Sequence, residues 1–283
     1  MKMKLITLSL AAFLAFGTIA SADPDPNFHI YLCFGQSNME SGGRMNDADK
    51  EVDERFQVMA DFDNQNRGWQ KDRWYHAVPP LTAKGRGICM VDYFGRTLLA
   101  GLPEKVRVGV IKVSVPGCKI ELFEKDTFQG YIENERDWMK NLVKNYGGNP
   151  YQYLVDMAKA AQKDGVIKGI LLHQGESNAG DKEWPNKVKG VYDNLIKDLN
   201  LKAEDVPLLA GELVHADQEG RCAGFNEIMA ELPKTVPNAH VISSAGCTTD
   251  DKLHFNSAGS REFGKRYGEK MLSWLGHEIT ETK

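Results

Sequence analysis

"FHIYLCFGQSN" (residues 28–38) opens with seven mostly bulky apolar residues and then changes abruptly to Gly-Gln-Ser-Asn. An apolar run this short, closed by a glycine, reads as a buried strand rather than a helix. The strand delivers a serine set between two amides, with Gly42 and Gly43 a few residues beyond. Gly35 permits a tight exit from the strand, and the later pair lets the following loop turn away. Asn38 is placed to hydrogen-bond neighbouring loop backbone and hold Ser37.

Four further runs have the same character: "VRVGVIKVSV" (106–115), "VIKGILLH" (166–173), "VPLLAGEL" (206–213) and "HVISSAG" (240–246). Helical patterns alternate with them at 89–102, 150–165, 184–200, 225–233 and 257–276. Pro150 suits a first helical position and Gly165 a cap beyond the helix end, while Asn256 or Ser257 suits the N-cap of the last helix. Alternating strands and helices predict an α/β fold: a three-layer α/β/α sandwich around a five-stranded parallel sheet. Two segments, 38–84 and 119–149, are long for loops, a length that points to function or to small local structure.

In such a sheet a ligand binds beyond the carboxyl ends of the strands. Those ends carry Gly35-Gln36-Ser37-Asn38, Val115-Pro116-Gly117-Cys118, His173-Gln174-Gly175-Glu176-Ser177-Asn178 and Glu212 to His215, and Asp250 to His254 follow the fifth run. One edge thus collects a serine, glycines, amides, acids and histidines. Ser37 is a candidate nucleophile if a base takes its proton. His254 is the leading base, and Asp251, three residues earlier, can reach its Nδ1. Glu176 is the alternative acid. The Ser37 and Gly117 backbone N–H groups and the Gln174 side-chain amide are candidate oxyanion donors.

Composition narrows the rest. The chain has 283 residues, 42% hydrophobic and 26% charged, with a net charge of -4. It is long enough to bury a core without metal or disulfide staples. Nothing in this balance suggests a nucleic-acid partner, which usually calls for a basic face. Two lysines precede an apolar run that ends at Ala20-Ser21-Ala22 before Asp23 and Pro24. This pattern predicts a signal peptide over 1–22, cleaved after Ala22, and an exported domain over 23–283, secreted or periplasmic. With the leader gone, no membrane segment is expected. Five cysteines leave at least one unpaired, with Cys222 and Cys247 as a candidate bridge. No spacing suggests a metal site, and none is expected.

"GQSNM" (35–39), "HQGESN" (173–178) and "DKLHF" (251–255) together resemble the motifs of the SGNH (GDSL-like) hydrolases. The nearest branch holds sialate O-acetylesterase-like proteins and carbohydrate esterase family 6 acetylxylan esterases. "VPGCKIELF" (115–123) and "RWYHAVPPL" (73–81) are similar to segments of that branch. The resemblance spans essentially the whole chain after the leader. It implies a flavodoxin-like SGNH fold and cofactor-free ester hydrolysis, with Ser37 as nucleophile and His254 as base. Where the wider superfamily often has an asparagine in the third block, this chain has Gln174. The triad acid stays open between Asp251 and Glu176. The implied partner is an acetylated carbohydrate, with acetylated xylan expected first and O-acetylated sialic acid second. A silent glycan-binding protein on the same scaffold is the alternative, against which the retained serine, histidine and acids argue. Trp69, Trp74, Tyr75, Phe123, Phe128, Tyr131 and Trp138 lie in the two long segments, as surfaces for sugar rings or as pins for the loops. Oligomeric state is left open.

Overall fold

The computed structural model describes residues 23–40 and 42–277. The expected signal peptide, residues 1–22, lies outside the described residues. The strand at 28–34 is part of β1 (Asp25–Gly35). Successive side chains of a strand point to opposite faces, so Ile30, Leu32 and Phe34 enter one core while Tyr31 and Cys33 enter the other. All five are buried, which makes β1 a central strand covered on both faces.

The chain continues through α1 (Ser37–Glu40), β2 (Phe56–Met59), β3 (Trp74–His76), α2 (Met90–Gly101), β4 (Arg107–Ser114), α3 (Phe128–Glu133), α4 (Asp137–Lys144) and α5 (Pro150–Ala161). Then follow β5 (Gly165–His173), α6 (Trp184–Asp198), β6 (Leu208–Gly211), α7 (Asn226–Met229), α8 (Leu232–Thr235), β7 (Ala239–Ile242) and α9 (Ser257–Trp274). The sheet runs β3-β2-β4-β1-β5-β6-β7. Every pairing is parallel except β2 with β3.

The expected five strands are therefore seven. The five anticipated ones lie in the spatial order β4-β1-β5-β6-β7, the 2-1-3-4-5 pattern of a flavodoxin-like sheet. β2 and β3 extend the β4 edge from within the segment expected as a long loop. At four and three residues they are too short to show a period, yet Phe56 and Val58 of β2 are wholly buried.

Helices cover both faces. α5 and α6 bury Tyr151, Leu154, Trp184 and Val188 on one side, and α2 and α9 bury Phe94, Leu98, Phe263 and Met271 on the other. Asn149 caps α5 ahead of Pro150, its side chain accepting from the Gln152 N–H at 3.0 Å. Gly165 opens β5 and does not cap α5, which ends at Ala161. Asn256, not Ser257, caps α9. The pattern at 225–233 forms two short helices, α7 and α8. All five cysteines are free thiols, so the candidate Cys222–Cys247 bridge is absent.

The order reverses at β1: the chain goes first to the β4 side and later returns to β5 on the other. Beyond the carboxyl end of β1, between the ends of β4 and β5, lies the crevice that this topology opens.

Candidate active site

β1 leaves the sheet at Gly35, whose φ of +152° places it in the region that favours glycine. A Cβ there would stand 2.0 Å from the His173 carbonyl oxygen, so no other residue fits between β1 and β5. The next residue seals the exit, Gln36 N–H donating to that same oxygen at 3.0 Å. Ser37 then opens the single turn of α1 at the crevice.

The imidazole of His254 faces it, with Nε2 3.0 Å from Ser37 Oγ. Asp251 Oδ2 lies 2.8 Å from His254 Nδ1. A carboxylate oxygen can only accept, so Nδ1 carries the proton and the Nε2 lone pair faces the serine hydroxyl. The other oxygen, Asp251 Oδ1, accepts the N–H groups of Leu253 at 2.9 Å and His254 at 2.6 Å. Thr249 Oγ1 closes the same turn by donating to the His254 carbonyl at 2.6 Å. Partial burial pushes the Asp251 carboxyl up, but the bonds from His254 and the two backbone donors outweigh it and hold the pKa at about 2. The pair is open to solvent: the side chains of His254 and Asp251 are 40% and 51% exposed.

Asn38 fastens this loop to the nucleophile turn. Its Nδ2 donates to the Leu253 carbonyl at 3.0 Å and to Glu176 Oε1 at 2.7 Å, and its Oδ1 accepts the Phe255 N–H at 3.1 Å. Glu176 is thus brought to Asn38 and not to His254. Its buried carboxylate also lies 3.8 Å from His173 Nδ1. Burial lowers the pKa of His173, whose Nε2–H donates to the Glu212 carbonyl at 3.2 Å.

Across the crevice, Val115 to Cys118 form a turn tied to β1 by the Val115 N–H on the Gly35 carbonyl at 3.0 Å. Gly117 sits at the tip with φ +73° and is exposed. Ser177 Oγ holds its carbonyl at 2.9 Å. The backbone N–H groups of Ser37 and Gly117 have no partner among the described residues.

Gln174 does not take its expected place. Its side chain is wholly buried, and both ends of its amide are engaged in the protein interior. Its Oε1 accepts from Trp184 Nε1 at 2.6 Å, and its Nε2 donates to Asn178 Oδ1 at 2.7 Å and the Cys118 carbonyl at 3.2 Å. Asn178 in turn accepts the Ile120 N–H at 2.9 Å, so the pair props the Gly117 turn from behind.

Sequence reading passed over Lys112, a charge in the middle of an apolar strand, which was the signal available. It is 2% exposed, and its Nζ donates to the Glu40 carbonyl at the end of α1 and lies 3.3 Å from Cys89 Sγ. Burial opposes the ammonium, but nearby Cys89, Asp92 and Asp61 keep its pKa above the ordinary value. Among the aromatic residues, Trp69 and Phe123 are buried and Trp74 packs edge-on against Phe28. Only Trp138 of the seven is a large exposed surface.

Residues 27–273 match the family model "Carbohydrate esterase, sialic acid-specific acetylesterase". The fold is similar to that of a protein from Arabidopsis thaliana at 20% identity and TM-score 0.67, over 88% of this chain and 99% of that one. It is also similar to NanS at 16% identity and TM-score 0.65, over 90% and 99%. A third similar structure is a carbohydrate acetylesterase from Xanthomonas citri, at 19% identity and TM-score 0.57, over 86% of this chain and 55% of that one. The chain belongs to the sialic acid-specific acetylesterase family of carbohydrate esterases, which makes it a carboxylic ester hydrolase.

Proposed function

We propose that this family member is a serine esterase that removes O-acetyl groups from carbohydrate, with Ser37, His254 and Asp251 as its triad. The observation that carries the reading is the unbroken line from Ser37 Oγ through both ring nitrogens of His254 to Asp251. In this mechanism His254 Nε2 takes the hydroxyl proton as Ser37 Oγ attacks the acetyl carbonyl carbon. The carbonyl oxygen becomes an oxyanion, and the unpartnered N–H groups of Ser37 and Gly117 are its donors. His254 passes its proton to the sugar oxygen as the C–O bond breaks. Water, activated by the same nitrogen, then releases acetate from the acyl-serine. Asp251 holds the tautomer and stabilises the imidazolium. Glu176 positions Asn38 in this reading.

The family match supports O-acetylated sialic acid as the first substrate to test, ahead of the acetylated xylan that the sequence brought forward. The openness of the His254–Asp251 edge suits an ester carried on a bulky glycan. Export belongs to the same reading: protein recovered outside the cytoplasm should begin at Asp23. The direct test is acetate release from both sugars, with Ser37→Ala lowering kcat by as much as about 10⁶, the cost of losing a nucleophilic serine in a protease. A Ser37→Ala enzyme that keeps a large share of turnover would sink the mechanism.

A further inference from the structure

Trp138 is 48% exposed, while its neighbour Met139 on α4 is wholly buried and anchors that helix in the core. The helix that carries the indole is therefore anchored, although much of the ring itself faces water. It has no aromatic stacking partner among the described residues, and its Nε1–H has no acceptor among them.

The ring lies against Gly117. A Cβ at Gly117 would stand 2.9 Å from Trp138 Cη2, with the two flanking ring carbons at 3.7 and 3.8 Å. Nearly equal flanking distances, both well beyond the nearest one, mark an approach in the plane of the ring. The indole thus meets Gly117 with its edge, and its faces are not consumed by that contact. An exposed aromatic surface consequently borders the residue whose N–H is a candidate oxyanion donor.

We propose that Trp138 is the platform on which a pyranose ring of the acetylated glycan stacks, which sets its O-acetyl carbonyl before Ser37 and Gly117. This rests on the carbohydrate esterase reading above. The apolar C–H face of a pyranose matches the breadth of an indole, whereas the single methyl of an acetyl group would cover little of it. The free Nε1–H offers a donor to a sugar hydroxyl at the rim of the same surface. The occupant is therefore the sugar, and not the acyl chain.

The test compares acetylated xylotriose and O-acetylated N-acetylneuraminic acid with ethyl acetate, which has no ring to stack. For the better sugar, the ratio of its kcat/KM to that of ethyl acetate should fall about tenfold in Trp138→Ala. The loss should appear mainly in KM, and Trp138→Phe should retain most of the ratio. An equal loss on both substrates would make Trp138 a prop for Gly117 and overturn the proposal, as would no loss on either. A change in acyl-length preference at constant ratio would assign the indole to the acyl chain and overturn it as well. Should Trp138→Ala fail to fold, the indole N–H resonance missing from Trp138→Phe serves instead. In Ser37→Ala protein it should shift on addition of the acetylated sugar, and an unmoved signal refutes the platform. Wild-type enzyme that hydrolyses ethyl acetate but neither sugar would refute the carbohydrate reading itself, and the platform with it.

Discussion

Asn38 Nδ2 and Glu176 Oε1 are joined by a 2.7 Å hydrogen bond, although 138 residues separate them in the chain. The same Asn38 side chain grips Leu253 and Phe255 on either side of His254. Glu176 is therefore linked to the histidine loop through an amide and makes no hydrogen bond to His254 among the described residues. The acid that touches His254 is Asp251.

That difference separates the two carboxylates kinetically. Asp251→Asn should lower kcat by about 10⁴, as the equivalent change does in a serine protease, because an amide can donate and favour the wrong tautomer. Glu176→Gln keeps an oxygen for Asn38 and should cost less than about tenfold. Glu176→Ala frees the clamp, and misplacement of His254 should then cost roughly 10². Measured kcat values for the three variants at one pH decide the matter; a Glu176→Gln defect larger than that of Asp251→Asn would reverse the assignment.

At Gly117, alanine meets two obstacles: a φ of +73° and the Trp138 ring carbon 2.9 Å from any Cβ. The left-handed conformation alone costs about 1 kcal/mol. The half-exposed indole can yield to the clash, but the left-handed strain falls on the turn that carries the N–H, so kcat for Gly117→Ala should drop, by up to roughly 10², while circular dichroism is unchanged. Near-normal turnover would remove Gly117 from the oxyanion hole.

Because Gln174 is buried behind the Gly117 turn, Gln174→Ala should be felt in folding. It strands Trp184 Nε1, at about 1–3 kcal/mol when left unpaired, and leaves Asn178 Oδ1 with the Ile120 N–H as its remaining donor. Urea denaturation should show this loss. If stability held while kcat fell by about 10²–10³, Gln174 would be the oxyanion donor that the sequence suggested.

Lys112→Met leaves the core acids without their cation. Burial raises the Asp92 carboxyl to about 6 despite the pull of Lys112, and Asp92 Oδ1 has no hydrogen-bond partner. Breaking such a buried grouping on one side costs about 3–5 kcal/mol. Adding Asp92→Leu to Lys112→Met should recover part of it. Thermal denaturation of both variants checks this, and a double variant less stable than the single one contradicts it.

Acid should expose the worth of the Asp251–His254 pair. The folded pKa of about 2 lies below the ordinary 3.8, so the stabilisation is complete above about pH 4 and fades as pH falls towards 2. Half-exposure limits it to about 1 kcal/mol or less. The stability gap between wild type and Asp251→Asn should thus be present near pH 6 and shrink near pH 3. A gap that widens in acid would contradict the assigned bond.

Much of this molecule is local and so was readable along the chain. The apolar runs become β1, β4, β5, β6 and β7 because burial on both faces demands continuous hydrophobic sequence. Ser37, Asp251 and His254 stood out because nucleophile and base must emerge at strand ends, and Asp251 reaches His254 within one turn of backbone. What periodicity could not reveal was contact between distant segments. β2 exists because the edge of β4 pairs with it, and β3 because β2 pairs with it in turn, not because their few residues insist on a strand. Gln174 and Glu176 sit two residues apart in one motif, yet packing against Trp184 drew one inward and Asn38 captured the other. Likewise, Trp138 was one aromatic among seven until the fold set its edge against Gly117. A motif specifies which chemical groups are present; the three-dimensional contacts decide which of those groups are already engaged and which remain free for a substrate.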